Sequence, residues 1–342
     1  MDTKRYFGIQ WHVTNRCDQR CKHCYIYQGP ESDQSYDQEI NLSESFSVIK
    51  KFQKFCKAMD CHPSFTITGG DPLLRPQIWD LLEMIHREKI PFSILGNPFH
   101  LNHEVGKRLR SLGCRDYQMS IDGLEETHDF LRKPGSFKAT LEAFDFLKSS
   151  GIETVVMSTV SNLNYKEMPG LVKLLVDLGV DSYAFARYCP TDSDLEYNIQ
   201  PLEYKQFLSE MWDVYTELAN KGTDFPLKDH LWKLFLYEKG LFKPRKHKIV
   251  YEGCNCAIRH MTILADGTIY ACRRFESPVG NIRDQSFEDI FLGPELSKYR
   301  EIEKMEGCKD CELLYHCRGC RAVSYGVSKD FFARDPQCWR FE

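Results

Sequence analysis

Cys17, Cys21 and Cys24 stand in a C-x3-C-x2-C spacing just past an apolar, β-rich run, and eight more cysteines crowd residues 254–338. Three thiolates grouped this closely suit an iron–sulfur cluster that keeps one iron without a protein ligand. A structural zinc ion wants four ligands, and His23 is the nearest extra donor, but it lies between two of the cysteines and competes with them for space. Further on, Cys254, Cys256 and Cys272 precede the run Cys308, Cys311, Cys317, Cys320 and Cys338. C-x2-C pairs also serve zinc knuckles, so spacing alone leaves zinc open there. Thr68-Gly69-Gly70-Asp71-Pro72 follows a second β-rich run, and its paired glycines permit close backbone approach to a ligand.

Composition decides what these thiols can mean. The chain has 15 cysteines, an odd number that a pure disulfide framework cannot consume. Its opening, MDTKRYFG, lacks the apolar stretch of a signal peptide, and no apolar run reaches the roughly 18 residues of a spanning helix. A cytoplasmic location follows as the expectation, where thiols stay reduced and clustered cysteines indicate metal. With 45 Lys+Arg against 49 Asp+Glu, the net charge of −4 gives no electrostatic case for nucleic acid or a membrane surface.

Alternating elements must position the N-terminal set. Strands are expected at Tyr6–Val13, Phe65–Thr68, Phe92–Leu95, Tyr117–Ile121, Thr154–Thr159 and Ser182–Ala186. Helical stripes lie between them: Ile49, Phe52, Cys56 and Met59 after a candidate N-cap at Ser43, then Ile78, Leu81, Leu82 and Ile85, then Leu171, Leu174, Leu175 and Leu178. Six β/α units predict an α/β fold, a partial (β/α)6 TIM-type barrel over 1–195, with its chemistry in the loops at the C-terminal strand ends. Residues 196–250 read as a helical bridge with Phe207, Met211, Val214, Tyr215 and Leu218 on one face. Residues 251–342 read as a small cysteine-rich domain, with a hairpin turning at Asp266-Gly267 and metal in place of a large core.

C-x3-C-x2-C followed by Tyr25, after the first strand of such a barrel, resembles the radical S-adenosylmethionine (SAM) superfamily. The resemblance implies that the open iron chelates SAM, and that an electron from the cluster cleaves it to methionine and a 5′-deoxyadenosyl radical. Gly69-Gly70-Asp71-Pro72 resembles the family's Gly-Gly-Glu-Pro, whose backbone binds the SAM amino group; Asp71 replaces the commoner Glu. Ser120-Ile121-Asp122-Gly123, His128-Asp129 and Arg132 resemble the S-x-D-G…H-D…R signature of members that carry a SPASM domain. By that resemblance Tyr25, Gly69, Gly70, Asp71, Ser120, Asp122, Arg132 and Ser158 surround SAM, with Arg132 on its carboxylate and Ser158 on its ribose.

The C-terminal cysteines resemble the SPASM domain itself, with one departure: Cys317 and Cys320 are separated by two residues where the family has three. The family's interleaved ligation implies one auxiliary [4Fe–4S] cluster on Cys308, Cys311, Cys317 and Cys338. A second would use Cys272 and Cys320 with Cys254, Cys256 or both, which makes three [4Fe–4S] clusters with the SAM-binding one. Cys56, Cys61 and Cys114 then read as core filling, whereas Cys189 follows the sixth strand on the active-site side and is a candidate catalytic residue. The resemblance implies a peptide or protein substrate, modified by thioether or carbon–carbon crosslinking. Sulfatase-maturase-type formylglycine formation and non-enzymatic electron transfer are the alternatives. It also implies an external donor of the flavodoxin or ferredoxin type. With few residues before the first strand, a leader peptide would bind a separate protein, the barrel, or the bridge surface carrying Trp232, Phe235, Tyr237, Lys243, Arg245 and Lys246.

Overall fold

The computed structural model describes residues 5–26, 36–191, 194–246, 248–250 and 252–341. Strands and helices alternate through β1 (Tyr6–His12), α1 (Leu42–Ala58), β2 (His62–Thr68), α2 (Ile78–Arg87), β3 (Phe92–Leu95) and α3 (His103–Ser111). They continue through β4 (Cys114–Ser120), α4 (Glu125–Leu131), α5 (Ser136–Ser149), β5 (Glu153–Val160), α6 (Met168–Asp177) and β6 (Ser182–Arg187). After α7 (Pro201–Leu218) and α8 (Trp232–Glu238) come β7 (His260–Ile263), β8 (Thr268–Tyr270), β9 (Pro278–Asn281), α9 (Phe287–Leu292), α10 (Pro294–Ser297) and α11 (Arg321–Ser328). This is the α/β order of a partial (β/α)6 barrel followed by a cysteine-rich region.

Contacts divide the chain into two compact units: Met1–Met119 with Leu131–Val155 and Cys256–Arg300, and Ser120–Phe130 with Val156–Asn255 and Glu301–Glu342. Compactness changes at 119/120, 130/131, 155/156, 255/256 and 300/301. In the first unit the strand order is β4-β3-β2-β1-β7-β8-β9, with β7 pairing in parallel along β1 from Gly8↔His260 to Trp11↔Ile263. The free edge of β1 needs partners for its peptide groups, and β7 supplies them, so residues 256–300 extend this sheet.

The sheet's two faces differ in kind. Phe7, Ile9 and Trp11 share a side with Phe65 and Ile67 of β2 and with Met261 and Ile263 of β7. That side packs on α1 and α9, where Phe7 meets Phe52, Phe55 and Phe291 edge-on at 5.0–6.2 Å between ring centroids. The α1 cap is Asn41 rather than Ser43: Asn41 Oδ1 accepts from Glu44 N (2.9 Å) and Asn41 N donates back to the Glu44 carboxylate (2.8 Å). The other side carries Gln10 and His12 level with Thr66 and Thr68, and His260 and Thr262. Gln10, His12, Thr68 and Thr262 are nonetheless buried, a polar interior of the kind that receives a ligand.

In the second unit, α7 buries Phe207, Met211, Val214, Tyr215 and Leu218 as its stripe predicts. Trp232 and Phe235 are buried beside Trp212 and each other, and Trp232 also meets Phe185 and Tyr215. Trp232 and Phe235 are core, which removes these two from a peptide-binding surface, whereas Tyr237 is half-buried. Cys114 begins β4 directly after a turn and is buried there, as core filling requires. The edge strand β9 was not legible, because Pro278 and Gly280 interrupt any alternating pattern.

Candidate active site

The cysteine loop is clamped by neighbouring backbone. Past β1, Val13 N still donates to Thr68 O at 2.8 Å; Gly70 N then donates to Thr14 O at 2.8 Å and Asp71 N to Arg16 O at 2.7 Å. A Cβ on Gly69 would stand 2.2 Å from Thr14 O, and one on Gly70 2.2 Å from Arg16 O. Glycine is needed here because the loop after β2 lies directly on the carbonyls of the cysteine loop. Glu39 accepts from Thr14 Oγ1 (2.6 Å) and Asn15 N (3.0 Å), while the buried Arg75 donates to Val13 O (2.6 Å) and Ile40 O (2.7 Å). Farther along, Gln19 Nε2 donates to Ser136 Oγ and Lys22 N to Leu131 O, both at 2.8 Å.

The three thiols so held are half-buried and near enough to influence one another. Burial pushes the Cys17 thiol up to about 12, and Cys21, Asp71 and Cys24 add charge repulsion. A bound cation reverses both effects, so this donor set fits the iron–sulfur group that the resemblance implies. Arg132 Nη1 lies 3.7 Å from Cys21 Sγ, and Asn97 Nδ2 lies 4.0 Å from Cys17 Sγ while donating to Asp18 Oδ1 at 2.9 Å. The Tyr25 hydroxyl is 3.5 Å from His12 Nε2.

Asp71 is buried, and one carboxylate oxygen accepts from Leu73 N at 3.2 Å. Burial pushes its carboxyl up to about 7. It faces Asp18 and His100, whose side chains meet at 3.0 Å. The sequence carried no signal for that trio, since His100 comes from the loop after β3.

In the second unit the Ser120–Gly123 turn is tied internally. Asp122 is buried and accepts from Thr159 N at 2.7 Å, while Asp122 N donates to His128 Nδ1 at 3.1 Å. Ser158 Oγ donates to Ile121 O at 2.5 Å and accepts from Tyr183 Oη at 3.1 Å. Its one donor is thus committed, and a ribose hydroxyl could reach Ser158 only by donating to the remaining lone pair. Ser120 is half-buried at the end of β4, and Cys189 is half-buried just beyond β6.

Cys308, Cys311, Cys317 and Cys338 line one cavity, together with Leu231 and Leu314. These are the four cysteines assigned above to one cluster. Backbone amides point at two of the sulfurs: Leu313 N at 3.5 Å from Cys311 Sγ and Gly319 N at 3.4 Å from Cys317 Sγ. Arg340 Nη1 reaches Cys311 Sγ at 2.9 Å. Such donors stabilise thiolates, so the cavity fits a second metal cluster. Cys320 and Cys254 instead lie beside His230, whose imidazole pKa is raised against burial by its hydrogen bond to Cys254 and by nearby Cys320. The shortened Cys317–Cys320 spacing is accommodated by Arg318 (φ 63°) and Gly319 (φ 58°), both left-handed, which turn the two cysteines to different surroundings. Cys256 and Cys272 belong to the first unit.

Sequence reasoning missed the buried pairing that carries this region. Arg187, at the end of β6, bonds Asp229 (2.8 Å) and Asp335 (2.8 Å), and Asp335 Oδ2 accepts from Cys320 N at 2.7 Å. It also missed Arg273, which follows Cys272 and bonds Gln10.

Comparison with known proteins agrees with this geometry. The family model described as the Radical SAM superfamily matches residues 11–175, and that of SPASM, an iron–sulfur cluster-binding domain, matches 254–312. The AdoMet-dependent heme synthase of Methanosarcina barkeri is 26% identical over 340 residues, covering 96% of this chain and 95% of its own length. The mycofactocin maturase MftC of Mycobacterium ulcerans is 24% identical over 345 residues, covering 96% and 87%. The solved structure of native anSMEcpe with bound AdoMet has the same fold, with a TM-score of 0.77 at 18% identity over 98% of this chain and 94% of the other. The chain belongs to the radical SAM superfamily and carries, from residue 254, a SPASM iron–sulfur cluster-binding domain.

Proposed function

We propose that this enzyme cleaves SAM reductively and modifies a residue of a ribosomally synthesised peptide, by a thioether or carbon–carbon crosslink. The rigid three-thiol loop beside Arg132 carries the reading. Bound there, an iron–sulfur cluster with SAM supplies the electron and the hydrogen-abstracting 5′-deoxyadenosyl radical. The chain's own residues do the positioning: the Gly69-Gly70 clamp and Glu39 hold the loop, and Arg132, 3.7 Å from Cys21 Sγ, would meet the SAM carboxylate. Three [4Fe–4S] clusters, SAM contacts at Tyr25, Ser120, Asp122 and Ser158, and a role for Cys189 belong to the same proposal. So do a flavodoxin- or ferredoxin-type donor, a separate leader-binding protein and a cytoplasmic location; among the described residues no helix is long and apolar enough to cross a membrane.

Likeness over nearly the whole chain to a mycofactocin maturase supports the peptide. A tetrapyrrole is the second reading, favoured by the heme synthase likeness over the same span. Formylglycine formation would use the same loop and has only a likeness of fold behind it. An electron carrier needs no clamped loop with an open position, so the Gly69-Gly70 contacts count against it.

Anaerobically iron-loaded protein given SAM and dithionite is expected to release 5′-deoxyadenosine, and Cys17→Ala, Cys21→Ala and Cys24→Ala each to abolish release. Release that survives all three substitutions overturns the reaction. Coexpressed peptide losing two hydrogens per crosslink identifies the substrate class; conversion of a propionate-bearing porphyrin instead favours the second reading.

A further inference from the structure

We propose that Arg273, with Gln10, His12 and His260, forms a subsite on the polar side of the β1–β7 sheet that takes a carboxylate of the substrate. This rests on the radical SAM reading and gives its substrate an acidic group, in the peptide reading a Glu, an Asp or the C-terminus.

The argument begins from an uncompensated charge. Arg273 Nη1 bonds Gln10 Oε1, a neutral acceptor, and its buried Nε has no hydrogen-bond partner among the described residues. A guanidinium is charged at any working pH, and shutting one of its donors away from both water and an anion is costly unless a ligand supplies the acceptor. Among the described residues no carboxylate pairs with it, and the neighbouring Cys272 is an expected cluster ligand. His12 is buried on the same side of the sheet and is kept neutral, its pKa pushed down to about 3 by burial, by Arg273 and by His260. Gln10 stands level with Thr262, and Gly8 level with His260, so the side of the sheet that carries Gln10 holds an amide, imidazoles and a hydroxyl. Asp116, the acid of β4, already accepts from Ser93 (2.7 Å) and Arg115 (2.8 Å).

The remaining donors match one chemistry. Nε and a terminal nitrogen of a guanidinium form the fork that grips both oxygens of a carboxylate, and the imidazoles of His12 and His260 can donate further bonds. Arg132, next to Cys21, is the cation the proposed function gives to SAM, which leaves Arg273 for a second acid. Gly8 opens room at the strand position level with His260, where a Cβ would meet only Ser64 Oγ at 3.8 Å.

The test uses iron-loaded protein and two probes of equal shape, N-acetyl-glutamate α-amide and N-acetyl-glutamine α-amide, titrated by calorimetry. The acid is expected to bind about tenfold or more tightly than the amide. In Arg273→Gln that ratio falls to about one, while Arg273→Lys keeps a smaller preference, as a point charge without the fork. A propionate-bearing porphyrin showing the same dependence on Arg273 keeps the subsite and moves the substrate to the second reading. Equal binding of the two probes by the wild-type protein, binding of neither, or a ratio unchanged in Arg273→Gln overturns the proposal, and iron content verifies each variant. Protein that prefers the acid yet releases no 5′-deoxyadenosine retains the subsite and overturns the reaction instead.

Discussion

At Gly70 a methyl group would be driven to 2.2 Å from Arg16 O, a backbone atom that cannot swing aside as a side-chain tip can. The cysteine loop must move if that methyl is present, and it carries the three thiols with it. Gly70→Ala is therefore expected to lose about four irons, those of the N-terminal site, and to cut 5′-deoxyadenosine release about 100-fold or more. Iron assay and product chromatography check this; full iron with near-normal release would show that the clamp is dispensable. Gly170 is the contrast, since a Cβ there meets nothing within 4 Å in α6. Gly170→Ala should leave both readouts unchanged and gain about 0.5–1 kcal/mol from the better helix former. Both substitutions add the same atom; the surroundings decide between them.

The elements do the placing. β1 reads as an apolar strand, yet Gln10 and His12 alternate with Ile9 and Trp11, so the strand presents an aromatic side to α1 and a polar side to the interior. In the second unit, Cys320 caps α11; its amide is held by Asp335, and Asp335 is held in turn by Arg187 from β6. Both acids around Arg187 are buried with it, and Asp335 also offsets the buried Arg321, so removing Asp335 leaves two buried guanidinium groups with Asp229 alone. Asp335→Ala should cost about 3–5 kcal/mol and loosen Cys317 and Cys320 together. Thermal unfolding and iron retention are the measurements; a loss below about 1 kcal/mol would mean that the network does not hold this turn.

On the scale of the whole molecule, the first unit carries Cys17, Cys21 and Cys24 and the second carries the four-cysteine cavity, and the expected load is about 12 irons for three [4Fe–4S] clusters. Cys308→Ala, Cys311→Ala, Cys317→Ala and Cys338→Ala should each remove about four of them, since the four sulfurs line one cavity. Zinc in place of the missing iron in the wild-type protein would refute the auxiliary clusters. Much of this was legible in the chain itself. Hydrophobic period placed all six barrel strands, β3 to the residue, because a strand's two sides are written in alternate positions. The family resemblance, and not spacing, grouped the four cysteines of the C-terminal cavity, since Cys320 lies nearer to Cys317 in the chain than Cys338 does. Other features were not legible. That β7 would pair with β1 and bring Arg273 to Gln10 depends on a contact across more than 250 residues of chain, which no local pattern encodes. The Arg187–Asp335 pairing is of the same kind, as is the exact reason for Gly69 and Gly70. Sequence determined which residues can do chemistry and which elements carry them; the tertiary structure alone decided which of them meet, because burial and charge compensation are properties of the packed chain and not of its order.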